Sequence, residues 1–227
     1  MEPRERTVWL ADRLTDHYGE PRIVRSDPVE SLVLTILSQN TNDANRDRAY
    51  ESLLERFGTL GAVRTARVAA IGHAIRVGGL HRQKSARIHR VLNRIHEERG
   101  ALDLSFLGEW DLDSAMNWLL ASPGVGKKTA GIVMLFSFHK PYFPVDTHIR
   151  RVLVRVGLIG PKGDPHDQAN ALLPQDPSLM AALHLLIIRL GREICRSRKP
   201  ACPECPIRLG CDWASWNPSS VPATGGP

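Results

Sequence analysis

Three groups of residues in this 227-residue chain combine types and spacing that could do chemistry. The first is Cys195, Cys202, Cys205 and Cys211, spaced C-x6-C-x2-C-x5-C and confined to one 17-residue window. A disulfide scaffold would spread its cysteines to clamp distant segments and would need an oxidising compartment; clustered thiols more often hold a metal. Four thiolates accept either tetrahedral zinc or an iron–sulfur cluster, and spacing alone leaves both open. Arg196, Arg198, Lys199 and Arg208 lie on the same loop, so a metal there would also fix a basic surface able to meet phosphate.

The second group is Ser122-Pro123-Gly124-Val125-Gly126-Lys127-Lys128-Thr129-Ala130. Gly124 and Gly126 permit a tight turn between two helices with amides facing outward. Those amides, with the positive end of the following helix, suit a phosphate, and Lys127 and Thr129 share that first turn. A phosphate-loop NTPase is excluded, because the four-residue glycine spacing and the preceding strand are both missing. Lys128 also sits in this first turn, where the helix dipole and Lys127 disfavour its ammonium. That environment favours the neutral amine a nucleophile needs. The plainer alternative is that both lysines bind phosphate.

The third is Asp146 in Pro144-Val145-Asp146-Thr147-His148-Ile149-Arg150. It reads as the N-cap of a helix carrying Arg150, Arg151 and Arg155. A chemical role requires that the cap also face the lysine.

The rest of the composition narrows the class. With 42% hydrophobic and 24% charged residues the chain has the make-up of a globular protein, one large domain or two small ones. No apolar run approaches the roughly 18–20 residues that span a bilayer. The start, MEPRERT, has no apolar core of a secretory signal, so a soluble, cytoplasmic protein is expected, at the nucleoid in a prokaryote. Thirty Lys and Arg against 24 Asp and Glu give a net charge of +6, and its placement matters more than its size. Arg56–His96 carries nine Lys or Arg and no acid, and Ser114–Val145 is acid-free as well. Two such blocks point to a polyanion as partner.

The elements that must position these residues read as helices throughout, with no sustained alternation that would mark a strand. A first amphipathic helix ends near Gly19. A second starts at Asp27 as N-cap, with Pro28 next and Glu30 closing a capping box, and its body SLVLTIL is apolar all round, as a buried central helix would be. Further helices are expected at about 42–57, 67–76, 80–99, 111–121, 127–138, 147–156, 166–173 and 178–194. The end, NPSSVPATGGP, is expected to be a mobile tail over 216–227.

In order and separation, SPGVGKKTA, FPVDTHIRRV and the LGREIC…CPECP…C loop resemble the endonuclease III family of helix-hairpin-helix DNA glycosylases, over about residue 25 to Cys211. The resemblance implies an all-α fold of two domains with the active-site cleft between them. These are a six-helix barrel over 22–140 and an iron–sulfur cluster domain made of 1–21 and 141–215. It implies that the four cysteines hold a 4Fe-4S cluster, that Lys128 is a Schiff-base nucleophile and that Asp146 is the essential aspartate. It implies that Gly124, Gly126, Lys127 and Thr129 anchor the backbone of double-stranded DNA carrying a damaged base or abasic site. Gln39, Asn40 and Leu80 would enter the gap left by the flipped base, and the protein would act as a monomer. The activity implied is excision of oxidised pyrimidines with cleavage 3′ to the abasic site; a non-catalytic iron–sulfur damage-binding protein is the alternative. An adenine-excising relative would carry Ser at position 128 and a further C-terminal domain, and a thymine-mismatch relative would carry Tyr there. Two departures stand out. SQNTN replaces the usual SAQAT, putting Asn40 where Gln is common, and Ser122 replaces a Leu, which is expected to remove apolar packing beneath the hairpin.

Overall fold

The computed structural model describes residues 2–216, which are helical with no strand among the described residues. Of the tail expected at 216–227, only Trp216 lies within the described residues, where it ends a short helix. The chain divides into two compact units, Arg25–Lys140 and Met1–Val24 with Pro141–Pro227.

The Arg25–Lys140 unit is built on helix α2, Pro28–Leu37. The Asp27 carboxylate accepts from the Val29 and Glu30 amides at 2.9 Å, and Pro28 occupies the first helical position. Val29, Leu32, Val33, Ile36, Leu37 and even Ser31 and Thr35 are buried, because α3, α6 and α8 pack round this one helix. Helix α3, Asp43–Phe57, is capped by Asn42 through the Asn45 amide and stops at Gly58, whose φ of 77° a larger residue would resist. Helix α4, Leu60–Thr65, was not expected from the sequence; six residues are too few for periodicity to register, although Thr59 caps it through the Ala62 amide. Helices α5, Val68–Ala74, and α6, His81–Arg99, pack together, α6 burying the stripe Ile88, Val91, Leu92 and Ile95. Helices α7, Leu112–Leu120, and α8, Lys127–Phe136, also pack together and are joined by the turn 121–126.

The other unit holds α1, Pro3–Tyr18; α9, Thr147–Val156; α10, Pro165–Leu172; α11, Pro177–Glu193; and α12, Asp212–Trp216. The long apolar α11 packs against both α1 and α9. Helix α9 is strongly two-faced. Ile149, Val152, Leu153 and Val156 are buried, while Arg151 and Arg155 leave its other side toward the cysteine loop.

Candidate functional site

The hairpin follows from two backbone requirements. Gly124 has φ +90°, and a Cβ there would fall 2.5 Å from Cδ of Arg87, so both torsion and space demand glycine. Gly126 is different: it is the N-cap of α8 at φ −101°, with nothing within 4 Å of the position a Cβ would take. It makes no side-chain cap, so the first turn of α8 presents its amides past bare backbone. Val125 is buried and holds the turn through its amide to the Ser122 carbonyl at 3.0 Å. Lys127 and Lys128 are half-buried at the first two helical positions. Thr129, at the third helical position, is buried.

Ser122 does not leave the gap expected of a Leu-to-Ser change. It is buried and accepts a 2.6 Å hydrogen bond from Arg94, which also donates to the Trp118 carbonyl at 2.9 Å. The Arg94 guanidinium lies over the Trp118 ring, 4.3 Å from its centroid. A polar anchor under the hairpin replaces the apolar one.

The three residues assigned to insertion behave differently. Asn40 and Leu80 are exposed and both left-handed, with φ 51° and 46°. Gln39 is held inward: its carbonyl oxygen accepts from Arg87, and its amide nitrogen lies 3.4 Å from the Gly124 carbonyl. Gln39 therefore ties its loop to the hairpin, and Asn40 and Leu80 are the two side chains presented outward.

In the other unit, Asp146 is half-buried and caps α9, its Oδ1 accepting from the Ile149 amide at 2.7 Å. The far end of α9 meets the cysteine loop. Arg155 donates to Cys195 Sγ at 3.3 Å and to the carbonyls of Arg196 and Ser197, and its guanidinium lies over the Trp213 ring. Arg151 donates to the carbonyls of Cys195 and Gly191. All four cysteines are unbridged and line one small pocket that opens to solvent. No three His, Cys, Asp or Glu among the described residues converge on a single-ion site. Burial pushes the thiols of Cys202 and Cys211 up and that of Cys205 to about 12, and the neighbouring sulfurs push the same way. These three thiols hold their protons until a positive centre compensates the thiolate charge. That donor set fits a soft, multiply charged metal centre.

These features coincide with comparisons to known proteins. A family model for the HhH-GPD superfamily of base excision DNA repair proteins matches residues 33–175. The chain belongs to the HhH-GPD superfamily. It is 37% identical over 186 residues to endonuclease III of Sulfolobus acidocaldarius, covering 81% of each chain. It is 31% identical over 190 residues to endonuclease III of Thermotoga maritima, covering 83% of this chain and 84% of that one. The structure of a trapped endonuclease III–DNA covalent intermediate superposes with a TM-score of 0.77 over 95% of this chain and 99% of that one. At 24% identity this last likeness speaks for the fold.

Within this HhH-GPD chain, the sequence reading did not single out Lys84, Arg87 or Arg94, all on α6. The signal was present for one of them. Lys84 falls on the apolar stripe that continues as Ile88, Val91 and Ile95, and a lysine at a core position is an anomaly with a reason. It is one of the nine cations of the acid-free 56–96 block, yet it is 0% exposed and adds nothing to a basic surface.

Proposed function

We propose that this chain is a bifunctional DNA glycosylase/AP lyase of base excision repair that removes oxidised pyrimidines and cuts 3′ to the resulting abasic site. The observation that carries the reading is Lys128, an amine in the first turn of a helix whose glycine N-cap leaves room for a phosphate to approach. The hairpin would bind the backbone through the first-turn amides of α8, assisted by Lys127. With the damaged nucleotide extruded, Nζ of Lys128 attacks C1′ of its sugar. The N–C1′ bond forms as the glycosidic bond breaks, and the base departs with that electron pair and takes up a proton. The nitrogen lone pair then opens the sugar ring, the C1′–O4′ bond breaking as O4′ takes up a proton, and the iminium so formed acidifies the C2′ proton; its removal expels the 3′-phosphate, and water hydrolyses the imine to restore the amine. Asp146 would accept the Lys128 proton and oppose the positive charge developing at the sugar. Its Oδ1 is engaged in the helix cap, and a carboxylate has a second oxygen for this work.

In the same reading Cys195, Cys202, Cys205 and Cys211 hold a 4Fe-4S cluster. Four soft sulfur donors lining one pocket suit an iron–sulfur centre. The cluster would fix the basic loop that Arg151 and Arg155 tie to α9. The partner is duplex DNA carrying a damaged base or abasic site, met by a monomer in the compartment that holds the DNA. The test is a single-turnover panel of duplexes, each with one oxidised pyrimidine or abasic site, with and without borohydride. Lys128→Ala should bind the same duplexes and give no trapped adduct. Lesion binding without cleavage by the unaltered protein would instead establish a damage-binding role. Iron and sulfide assays on anaerobically purified protein test the cluster, and stoichiometric zinc without iron would refute it.

A further inference from the structure

The core encloses the Lys84 side chain completely. Its Nζ donates to two backbone carbonyls at 2.7 Å, those of Leu37 and Gly78. Each carbonyl stands at the root of a different loop. Leu37 is the last residue of α2, and Asn40 follows it by three positions; Gly78 precedes Leu80 by two. The wall opposite is closed by α3, since a Cβ on Gly78 would lie 3.2 Å from the Ala49 Cβ and 3.9 Å from the lysine nitrogen.

Both loop tips have positive φ, and at Leu80 this is strain. Leu80 has φ 46° and ψ 30° and is 44% exposed, an arrangement in which a bulky apolar residue gains little burial and opposes its own torsional preference. Such a conformation persists only where its surroundings impose it. The Lys84 amide donates to the Leu80 carbonyl at 3.0 Å while its side chain holds the carbonyl of Gly78. One turn along α6, Arg87 holds the Gln39 side chain. An apolar residue at position 84 would extend the stripe of α6 without desolvating an amine, so packing does not explain a lysine here. Two helix-end carbonyls with no other backbone donor among the described residues do explain it. Burial, and Arg87 nearby, push its pKa down, and the neutral amine still carries an N–H for each carbonyl.

We propose that Lys84 is a positioning residue, a buried strut that fixes the Asn40 and Leu80 loops relative to one another so that both side chains enter the gap left by an extruded nucleotide. This rests on the glycosylase reading, and the experiment is arranged so that the two can fail separately. A duplex carrying 2-aminopurine opposite a non-cleavable tetrahydrofuran abasic analogue reports insertion without chemistry, by the fluorescence of the unstacked base. The unaltered protein should raise that fluorescence several-fold. Lys84→Met should bind undamaged duplex as tightly as the unaltered protein yet leave the fluorescence near that of free duplex. Its single-turnover excision of an oxidised pyrimidine should fall roughly 100-fold, the scale of an about 1 Å misplacement. Should Lys84→Met fail to fold, Gly78→Ala moves the acceptor instead of the donor and carries the same expectation. Unchanged fluorescence with Lys84→Met, equal loss of binding to undamaged duplex, or no fluorescence rise with the unaltered protein overturns the proposal. Normal insertion by a protein that excises no lesion would leave the strut standing and remove the glycosylase reading.

Discussion

The guanidinium of Arg94 donates to the hydroxyl of Ser122 across 2.6 Å, joining the middle of α6 to the first residue of the hairpin sequence. The same guanidinium pairs with Glu98 at 2.7 Å and lies over the Trp118 ring, whose indole N–H donates to the other Glu98 oxygen at 2.7 Å. One arginine, one carboxylate, one indole and one hydroxyl thus brace the turn that carries Gly124 and Gly126. The aromatic face and the bidentate use of Glu98 make this a more specific brace than a single surface ion pair.

Restoring the Leu common in the family pattern should therefore weaken this protein. Ser122→Leu would leave the Arg94 N–H without its acceptor and push bulk into a space that the guanidinium fills, at a cost of about 2–4 kcal/mol. Ser122→Ala removes the acceptor alone and should cost about 1–2 kcal/mol. Urea denaturation of the three proteins checks the order; a Leu variant more stable than the unaltered protein would mean that the brace is dispensable.

Glu98 gives the brace a pH dependence. The Arg94 hydrogen bond, aided by Trp118, holds its carboxyl below the usual value of 4.5. The folded state therefore binds a proton less readily than the unfolded chain. The resulting stability is fully present above about pH 4.5 and disappears as pH falls through the lowered folded value. The stability difference between the unaltered protein and Glu98→Gln should be constant from pH 7 to 5 and shrink below that. At 43% side-chain exposure the difference is small and sensitive to salt.

What could be read in the sequence was whatever local chemistry dictates. Asp27 and Asp146 cap helices because a short acceptor placed before a helix serves its first amides, wherever that helix later packs. The grouping of four thiols followed from their spacing, and the all-helical class from the apolar periodicity. What stayed hidden depends on partners distant in sequence. Gln39 was assigned to insertion because its loop was recognised, but its side chain is occupied by Arg87, 48 residues away. Ser122 read as lost packing because Arg94, 28 residues earlier, could not be placed beneath it. Lys84 was counted with the surface charge because its acceptors, the Leu37 and Gly78 carbonyls, are backbone groups with no signature in side-chain type.

The two hairpin glycines should separate folding from binding. Gly124→Ala meets both a positive φ and the Arg87 side chain, so it should lower stability by more than 1 kcal/mol, about the penalty of the strained torsion alone. Gly126→Ala has an ordinary φ and open space, so its melting temperature should stay within about 2 °C of the unaltered protein, and its DNA affinity should fall because a methyl now stands where a phosphate would approach. Thermal melts paired with duplex binding at fixed salt decide this. Equal affinity of Gly126→Ala and the unaltered protein would move the phosphate contact away from the α8 N-terminus.

Asp146 caps its helix and has a chemical task proposed for it, and two substitutions pull the two apart. Its Oδ1 caps α9 through the Ile149 amide at 2.7 Å. Asn supplies an equivalent acceptor, so Asp146→Asn should keep stability within a few tenths of a kcal/mol, whereas Asp146→Ala should lose about 1 kcal/mol. That loss is confined to the first turn, because Arg151 and Arg155 hold α9 to the carbonyls of Gly191, Cys195, Arg196 and Ser197. Neither variant keeps a carboxylate to take the Lys128 proton, so both should lose about 10²–10⁴-fold in single-turnover excision. Equal rate losses with unequal stabilities assign the chemistry to the charge. An Asn variant that excises at the unaltered rate would show that Asp146 caps its helix and does nothing more.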